Sequence, residues 1–115
     1  MTITLYGIPN CDTVKKARTW LEARGLAYTF HDYKKQGADP AKLAAWVAAA
    51  GWEVVLNRAG TTFRKLPEEA REGLDAVKAV ALMAANPSCI KRPVVEHPGG
   101  LLVGFKEAEW AKALG

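Results

Sequence analysis

The chain has 115 residues, of which 50% are hydrophobic and 24% charged, with a formal net charge of +4. This length fits one domain that buries its own core, and the composition is that of an ordinary globular protein. The first residues resemble no signal peptide, and no apolar run reaches the roughly 20 residues that cross a bilayer. We therefore expect a cytoplasmic protein without a membrane segment.

The basic residues are spread along the chain in pairs, such as Lys15-Lys16 and Lys91-Arg92. No block of five or more like charges occurs, so most of them are interpreted as solvated surface residues. A few such side chains also suit a small anionic ligand. We therefore expect a small molecule as ligand and no nucleic acid.

Two cysteines, Cys11 and Cys89, and two histidines, His31 and His97, lie at wide and irregular spacings. This pattern is neither a disulfide framework nor a zinc signature. We predict no metal site and no bound cofactor. Cys89 is interpreted as a small buried residue, although a role as an internal partner of Cys11 stays open.

The first third of the chain predicts a strand, a helix and a second strand. Residues 2–6 alternate in hydrophobicity and end in a loop; from Asp12 the apolar residues recur with a helical period as far as Gly25, the expected C-cap. An aromatic-rich strand follows at 27–33. The result is a right-handed βαβ unit with parallel strands. The helix is expected to bury Val14, Ala17 and Leu21.

The middle of the chain predicts helices at 40–50, from Leu66 and at 74–85, where Pro residues and Gly51 act as start and stop signals. The predicted buried positions are Leu43, Trp46, Val47 and Ala50 in the first of these helices and Leu74, Val77 and Ala81 in the last.

The last third predicts strands at 93–97 and 101–104 around a glycine-containing turn, followed by a helix at 107–114. The order βαβ, helices, ββα is the thioredoxin-like arrangement, an α/β fold with a mixed four-stranded sheet. Residues at about 34–90 would form a helical insertion within a single domain over 1–115.

Cys11 falls at the junction of the first strand and the first helix. There the free amides of the first turn and the helix dipole favour negative charge, and the thiolate is the nucleophilic form of cysteine. Lys15 adds a positive charge one turn later. We predict a reactive cysteine, the alternative being a small residue at a tight corner. Because position 14 is Val, no C-x-x-C dithiol exists in this loop.

Five segments carry a resemblance that covers essentially the whole chain. They are Tyr-Gly-Ile-Pro-Asn-Cys at 6–11, Phe-His-Asp-Tyr at 30–33, Leu-Asn-Arg at 56–58, Gly-Thr-Thr-Phe-Arg-Lys-Leu at 60–66 and Ile-Lys-Arg-Pro at 90–93. In this order and spacing they resemble the arsenate-reductase-like (ArsC) family. Within it they are most similar to the YffB/Spx-like branch.

The resemblance implies roles for individual residues. Cys11 matches the cysteine that attacks the oxyanion in arsenate reductases and is resolved by glutathione and glutaredoxin. Arg92 and Arg58 match anion-binding arginines, and Pro93 matches the cis-proline of thioredoxin folds. The family's third arginine would fall near Gly104, where this chain has Gly-Phe-Lys. The further residues expected to bind substrate are Asn10, Asp12, Thr13 and Lys15.

For Arg58, Arg64 and Lys65 the alternative is a solvated loop face. The sequence thus predicts a glutathione-dependent thiol oxidoreductase with a single nucleophilic cysteine. We expect a monomer with glutathione as co-substrate, glutaredoxin as a further partner and a small oxyanion or thiol as substrate. The alternatives are an arsenate reductase proper and a non-catalytic Spx-like transcription regulator.

Overall fold

The computed structural model describes residues 3–114. They form two compact units, a first unit of residues 3–36 and 92–114 and a second unit of Gly37–Lys91. The assignment of both to a single domain stays a prediction. The elements in chain order are β1 (Thr4–Gly7), α1 (Asp12–Ala23), β2 (Thr29–Asp32), α2 (Tyr33–Gln36), α3 (Pro40–Ala50), α4 (Trp52–Val55), α5 (Thr61–Arg64), α6 (Glu68–Arg71), α7 (Ala76–Ala85), a 3₁₀ turn (Pro87–Cys89), β3 (Val94–His97), β4 (Gly100–Val103) and α8 (Glu107–Leu114).

The first unit contains a mixed four-stranded sheet with the strand order β2-β1-β3-β4. β1 and β2 are parallel, whereas β3 is antiparallel to both β1 and β4. Tyr6 on β1 is paired with His31 on β2 and with Val94 on β3. The end of β1, the end of β2 and the start of β3 therefore meet at one end of the sheet, which we call the Gly7 end. The predicted fold class is confirmed.

One face of the sheet packs against α1 and α8. The alternation along β1 places Ile3 and Leu5 on this face, and the helical period of α1 places the predicted Val14, Ala17 and Leu21 against them. Trp110 of α8 is fully buried in the same cluster, and its indole N–H donates to the Gly104 carbonyl at 3.1 Å. This packing fixes α1 on β1 and so fixes the loop between them.

Boundaries in the first unit differ from the prediction by one or two residues. β2 starts at Thr29 instead of residue 27, and Tyr33 belongs to α2 instead of to the strand. α1 ends at Ala23, and Gly25 lies beyond its C-cap with φ +69°. Thr2, which the prediction includes in the first strand, lies outside the described residues. Short helices such as α2 escape prediction because four residues are too few to show a period.

In the second unit, α3 begins as predicted. Asp39 caps it by accepting a hydrogen bond from the Ala41 N–H at 3.0 Å, and Leu43, Trp46 and Val47 are buried. The expected face of α7 is wrong. α7 buries Ala79, Leu82 and Met83, whereas Val77 is 80% exposed.

The reason is that α7 is apolar on nearly every side, so its period does not define a buried face. It also begins two residues later than predicted, because Asp75 accepts a hydrogen bond from the Lys78 N–H at 2.8 Å and acts as the N-cap. Across residues 3–114, no helix combines the length and apolar character that spanning a membrane requires.

Candidate functional site

Cys11 is the N-cap residue of α1, a helix of 12 residues. Its backbone is extended (φ −83°, ψ 125°), its carbonyl accepts the Lys15 N–H at 3.0 Å, and its own N–H donates to the Ile8 carbonyl at 3.2 Å. The side chain is half-buried and packs against the core of the first unit. The thiol therefore stands at the helix N-terminus with one side open to solvent.

The amides of the first turn of α1, those of Asp12, Thr13 and Val14, have no partner within the helix. Among the described residues, the Cys11 side chain makes no capping hydrogen bond to them. The dipole of an α-helix favours negative charge at its N-terminal end. The same free amides are suited to bind an external anion.

Arg92 and Pro93 lie at the Gly7 end of the sheet, directly before β3. The peptide bond between them is cis, as the resemblance implies. Pro93 is buried, and its carbonyl accepts the Gly104 N–H at 2.8 Å, while Arg92 is half-buried. Because β1 runs through Gly7 toward Cys11 at this same end, the fold brings Arg92 and Cys11 to one end of the sheet.

The residues predicted around Cys11 are surface residues. Asn10, Asp12, Thr13 and Lys15 are all exposed. Lys15 also borders a surface cavity of about 380 Å³ that Trp20 and Phe105 help to line. These side chains are therefore accessible to a ligand that reaches Cys11 from solvent.

Tyr33, for which no function was predicted, begins α2 at the Gly7 end. The side chain is only 2% exposed, and its hydroxyl has no hydrogen-bond partner among residues 3–114. Its ring stacks on Tyr6 at 6.3 Å and meets His31 edge-on at 5.8 Å. Beside it, the Tyr6 hydroxyl donates to the Glu96 carboxylate at 2.6 Å.

Burial raises the pKa of Tyr33 far above its ordinary value, and Tyr6 and Glu96 act in the same direction. The Arg92 guanidinium acts in the opposite direction. At ordinary pH the Tyr33 hydroxyl is therefore neutral and able to donate a hydrogen bond. The signal in the sequence is that Tyr33 belongs to the Phe-His-Asp-Tyr segment at 30–33, one of the five segments that carry the family resemblance.

Gly104 occupies the position where the third family arginine is expected. Its φ is +78°, in the left-handed region where a residue with a Cβ is strained. Its N–H is bonded to Pro93 and its carbonyl to Trp110. The next residue, Phe105, packs edge-on against Trp110 at 4.8 Å. The local backbone thus favours glycine here and disfavours an arginine.

Arg58 belongs to the second unit, where it is exposed on a loop. Its guanidinium lies 5.4 Å from the centre of the Trp52 ring. The loop is ordered by Asn57, whose side chain accepts the Ala59 N–H at 3.2 Å and whose N–H donates to the Cys89 carbonyl at 2.7 Å. Cys89 is 1% exposed, which confirms its interpretation as a buried residue. Arg64 and Lys65 are also exposed.

Within residues 3–114, His, Cys, Asp and Glu side chains form no group of three that is able to hold a metal ion. The Gly7 end brings together a thiol at a helix N-terminus, a guanidinium and a buried phenol.

Comparison with known proteins identifies the family. Residues 6–113 match the model of the ArsC family. The solved structure of the YFFB (PA3664) protein is 57% identical, with 98% of this chain and 99% of that chain covered and a TM-score of 0.96. An arsenate reductase (ArsC) related protein from Brucella melitensis is 56% identical, with 99% and 95% coverage and a TM-score of 0.77. The global transcriptional regulator Spx of Listeria innocua is 28% identical over 93% of this chain and 82% of its own. The chain belongs to the ArsC family.

Proposed function

We propose that this protein is a thiol oxidoreductase in which Cys11 is the single nucleophile and glutathione is the co-substrate. The observation that carries the proposal is the contrast between the two cysteines. Cys11 caps a helix and is half-exposed at the end of the sheet that also holds Arg92, whereas Cys89 is 1% exposed. With Val14 in place of a second cysteine, the reducing thiol has to come from outside the loop.

The proposed cycle has two thiol–disulfide exchanges. The Cys11 thiolate attacks the glutathione sulfur of a mixed disulfide R–S–S–G, so that a Cys11–glutathione disulfide forms and R–S⁻ leaves and takes up a proton. The thiolate of a second glutathione then attacks the glutathione sulfur of this adduct. Glutathione disulfide is released and the Cys11 thiolate returns. The balance is RSSG + GSH → RSH + GSSG.

The remaining residues of the proposal bind the ligand. Arg92 would pair with a carboxylate of glutathione, because its planar donor group matches the two oxygens of a carboxylate. The exposed side chains of Asn10, Asp12, Thr13 and Lys15 would form the rest of the binding surface, and the buried Pro93 would orient the backbone of Arg92 toward the ligand. Arg58 stays a prediction from the resemblance.

The proposal also specifies a setting for the reaction. A monothiol cycle driven by glutathione needs a compartment that keeps glutathione reduced, which is the cytoplasm. Glutaredoxin is proposed as an alternative reductant of the Cys11 adduct. The protein is expected to act as a monomer without a nucleic-acid or membrane partner.

Intact-mass measurement tests the cycle directly. After incubation with glutathione disulfide, the wild type should gain one glutathione, the Cys89→Ser variant should gain the same adduct, and Cys11→Ser should gain none. Added glutathione should remove the adduct. An internal Cys11–Cys89 disulfide, seen as a loss of two hydrogens without an adduct, would contradict the single-cysteine cycle.

Arsenate reduction is a second candidate, favoured by membership of the ArsC family and by the similarity to the Brucella melitensis arsenate reductase related protein. The backbone at Gly104 speaks against it, because φ is +78° where the third arginine is expected. Turnover of arsenate with glutathione and glutaredoxin decides between arsenate reduction and the reduction of a glutathione mixed disulfide. We expect it to be slow compared with reduction of a glutathione mixed disulfide.

A regulatory role is a third candidate, favoured by the 28% identity to Spx of Listeria innocua. Regulators of this type typically carry a second cysteine where this chain has the buried Val14, which speaks against a dithiol switch. If Cys11 exchanges with glutathione disulfide no faster than free cysteine does, and a protein partner co-purifies, the regulatory role replaces the enzymatic one.

A further inference from the structure

We propose that Tyr33 is a further ligand-binding residue, whose buried hydroxyl donates a hydrogen bond to the anionic group that Arg92 binds. The proposal rests on the proposed function, since it deepens the description of the same site. The ligand chemistry is an anionic oxygen, either a carboxylate of glutathione or an oxygen of an inorganic oxyanion.

Tyr33, Arg92 and Cys11 lie at the same end of the sheet in the first unit. β1 leads through Gly7 to Cys11, and the parallel β2 leads directly into Tyr33 at the same end. β3 runs the opposite way, so the residue before its start, Arg92, lies at this end as well. β1 is flanked by β2 and β3 in the sheet. Tyr33 and Arg92 therefore stand on either side of the strand that leads to the reactive thiol.

The buried hydroxyl of Tyr33 has no hydrogen-bond partner among the described residues. The side chain is 2% exposed. A buried polar group without a partner is costly, and nearly all such groups in folded proteins are satisfied. The nearby Glu96 carboxylate already accepts the Tyr6 hydroxyl at 2.6 Å. Residues 3–114 thus hold a buried donor for which they supply no acceptor.

The charges around Tyr33 determine what kind of ligand its hydroxyl is able to bind. Burial raises the pKa of Tyr33, so the hydroxyl keeps its proton and acts as a donor at physiological pH. An anionic acceptor suits such a donor, because hydrogen bonds to charged groups are the stronger ones. Glu96 disfavours a second negative charge at Tyr33, and the Arg92 guanidinium counteracts this effect in part. Tyr33 and Arg92 together provide a neutral donor and a cation for one anion.

The test is Tyr33→Phe, which removes the hydroxyl and keeps the ring that stacks on Tyr6. Dissociation constants are measured by calorimetry at pH 7 under reducing conditions, with reduced glutathione in one arm and sulfate in the other. We expect about ten-fold weaker binding of the probe that the site recognises, the loss of one hydrogen bond to a charged group. If Tyr33→Phe weakens the binding of glutathione, the anionic oxygen belongs to a glutathione carboxylate. If it weakens the binding of sulfate, the anionic oxygen belongs to an inorganic oxyanion.

Two controls separate ligand binding from folding. In the free protein the melting temperature of Tyr33→Phe should be unchanged or higher, because no hydrogen bond is lost. Tyr28→Phe removes a hydroxyl that bonds Glu22 and Arg18 and should leave both dissociation constants unchanged. In an Arg92→Gln background, the effect of Tyr33→Phe should fall below two-fold, because the two residues bind the same anion.

The outcomes are distinguishable. If the wild type binds a probe and Tyr33→Phe binds it within two-fold, the role of Tyr33 is refuted while the function of Cys11 stands. A melting temperature lowered by several degrees would mean that the hydroxyl has a structural partner, which also refutes the proposal. If the wild type binds neither probe, both the proposed function and the role of Tyr33 fall.

Discussion

Gly7 lies where β1 and α1 are in close contact, so that a single added atom would clash. A Cβ at position 7 would lie 2.8 Å from Cγ2 and 3.3 Å from Cγ1 of Val14. Val14 is fully buried, and as a β-branched residue in a helix it has one strongly preferred rotamer. The valine is therefore unable to swing away from an alanine at position 7.

We expect Gly7→Ala to lower the free energy of unfolding by about 1–3 kcal/mol, the usual cost of overpacking a core. At about 4 °C per kcal/mol for a domain of this size, this is a drop in melting temperature of roughly 4–12 °C. Since Val14 is in the first turn of α1, the displacement also moves the helix end that carries Cys11. Alkylation of Cys11 by iodoacetamide at pH 7 should slow several-fold.

The assay is urea unfolding of Gly7→Ala, Val14→Ala and the double variant. In the double variant the new methyl group enters the space that the smaller residue 14 leaves, so its loss of stability should be smaller than the sum of the single losses by about 1 kcal/mol or more. Gly25→Ala is the matched control. At φ +69° with nothing within 4 Å, it strains the backbone without a clash, and Val14→Ala should not rescue it.

Additive losses in the double variant, or a Gly7→Ala protein within about 0.3 kcal/mol of the wild type, would show that β1 and α1 are not in such close contact. If Gly7→Ala lowered the free energy of unfolding but left the rate of Cys11 alkylation unchanged, the contact between Gly7 and Val14 would have no effect on Cys11. The two readouts therefore test the packing and its consequence for the thiol independently.

Tyr6→Phe removes a 2.6 Å hydrogen bond to the Glu96 carboxylate; we expect a loss of about 1.5–3 kcal/mol in urea unfolding, and no loss would mean that the bond is absent. Gly104→Arg forces a side chain onto a φ of +78°; it should lower the melting temperature and leave arsenate turnover unchanged, whereas a clear gain of turnover would contradict the argument from the backbone. Burial raises the pKa of Tyr33 above 10.0, so its neutral form contributes stability below pH 10 that is lost as the pH rises above that value. The fall in melting temperature between pH 8 and pH 11 should be smaller in Tyr33→Phe than in the wild type. Equal falls would show that the ionisation of Tyr33 does not contribute to this loss of stability.

The elements around Cys11 are predictable because their signals are local. Alternation in β1 and the helical period of α1 each lie within about a dozen residues, and both assignments are confirmed. The cysteine at the N-cap follows from the junction between them. The face of α7 is not predictable in this way, because a helix that is apolar on nearly every side is oriented by what packs on it, as the 80% exposure of Val77 shows.

Tyr33 illustrates a second limit. Its burial and its electrostatic interaction with Arg92 depend on the register that pairs Tyr6 with both His31 and Val94. That register joins β1 to one segment 25 residues away in sequence and to another 88 residues away, and no local pattern specifies it. The role of Arg92 was implied by the family resemblance, whereas no role was predicted for Tyr33 on the other side of β1.

Gly104 stands where the family's third arginine is expected, and this difference affects which substrate group Cys11 is proposed to attack. The Gly104 N–H is bonded to the carbonyl of Pro93 at 2.8 Å, and its carbonyl to the buried Trp110 at 3.1 Å. The residue therefore ties the segment after Arg92 to the core, at a φ that disfavours any side chain. With this position committed to backbone structure, the chain has no arginine at the place where the resemblance implies a third cationic partner for a compact oxyanion such as arsenate. The glutathione moiety of a mixed disulfide, the substrate of the proposed cycle, would need a cation for one carboxylate, and Arg92 is the residue proposed to supply it. The geometry at Gly104 thus supports the proposed disulfide substrate over arsenate.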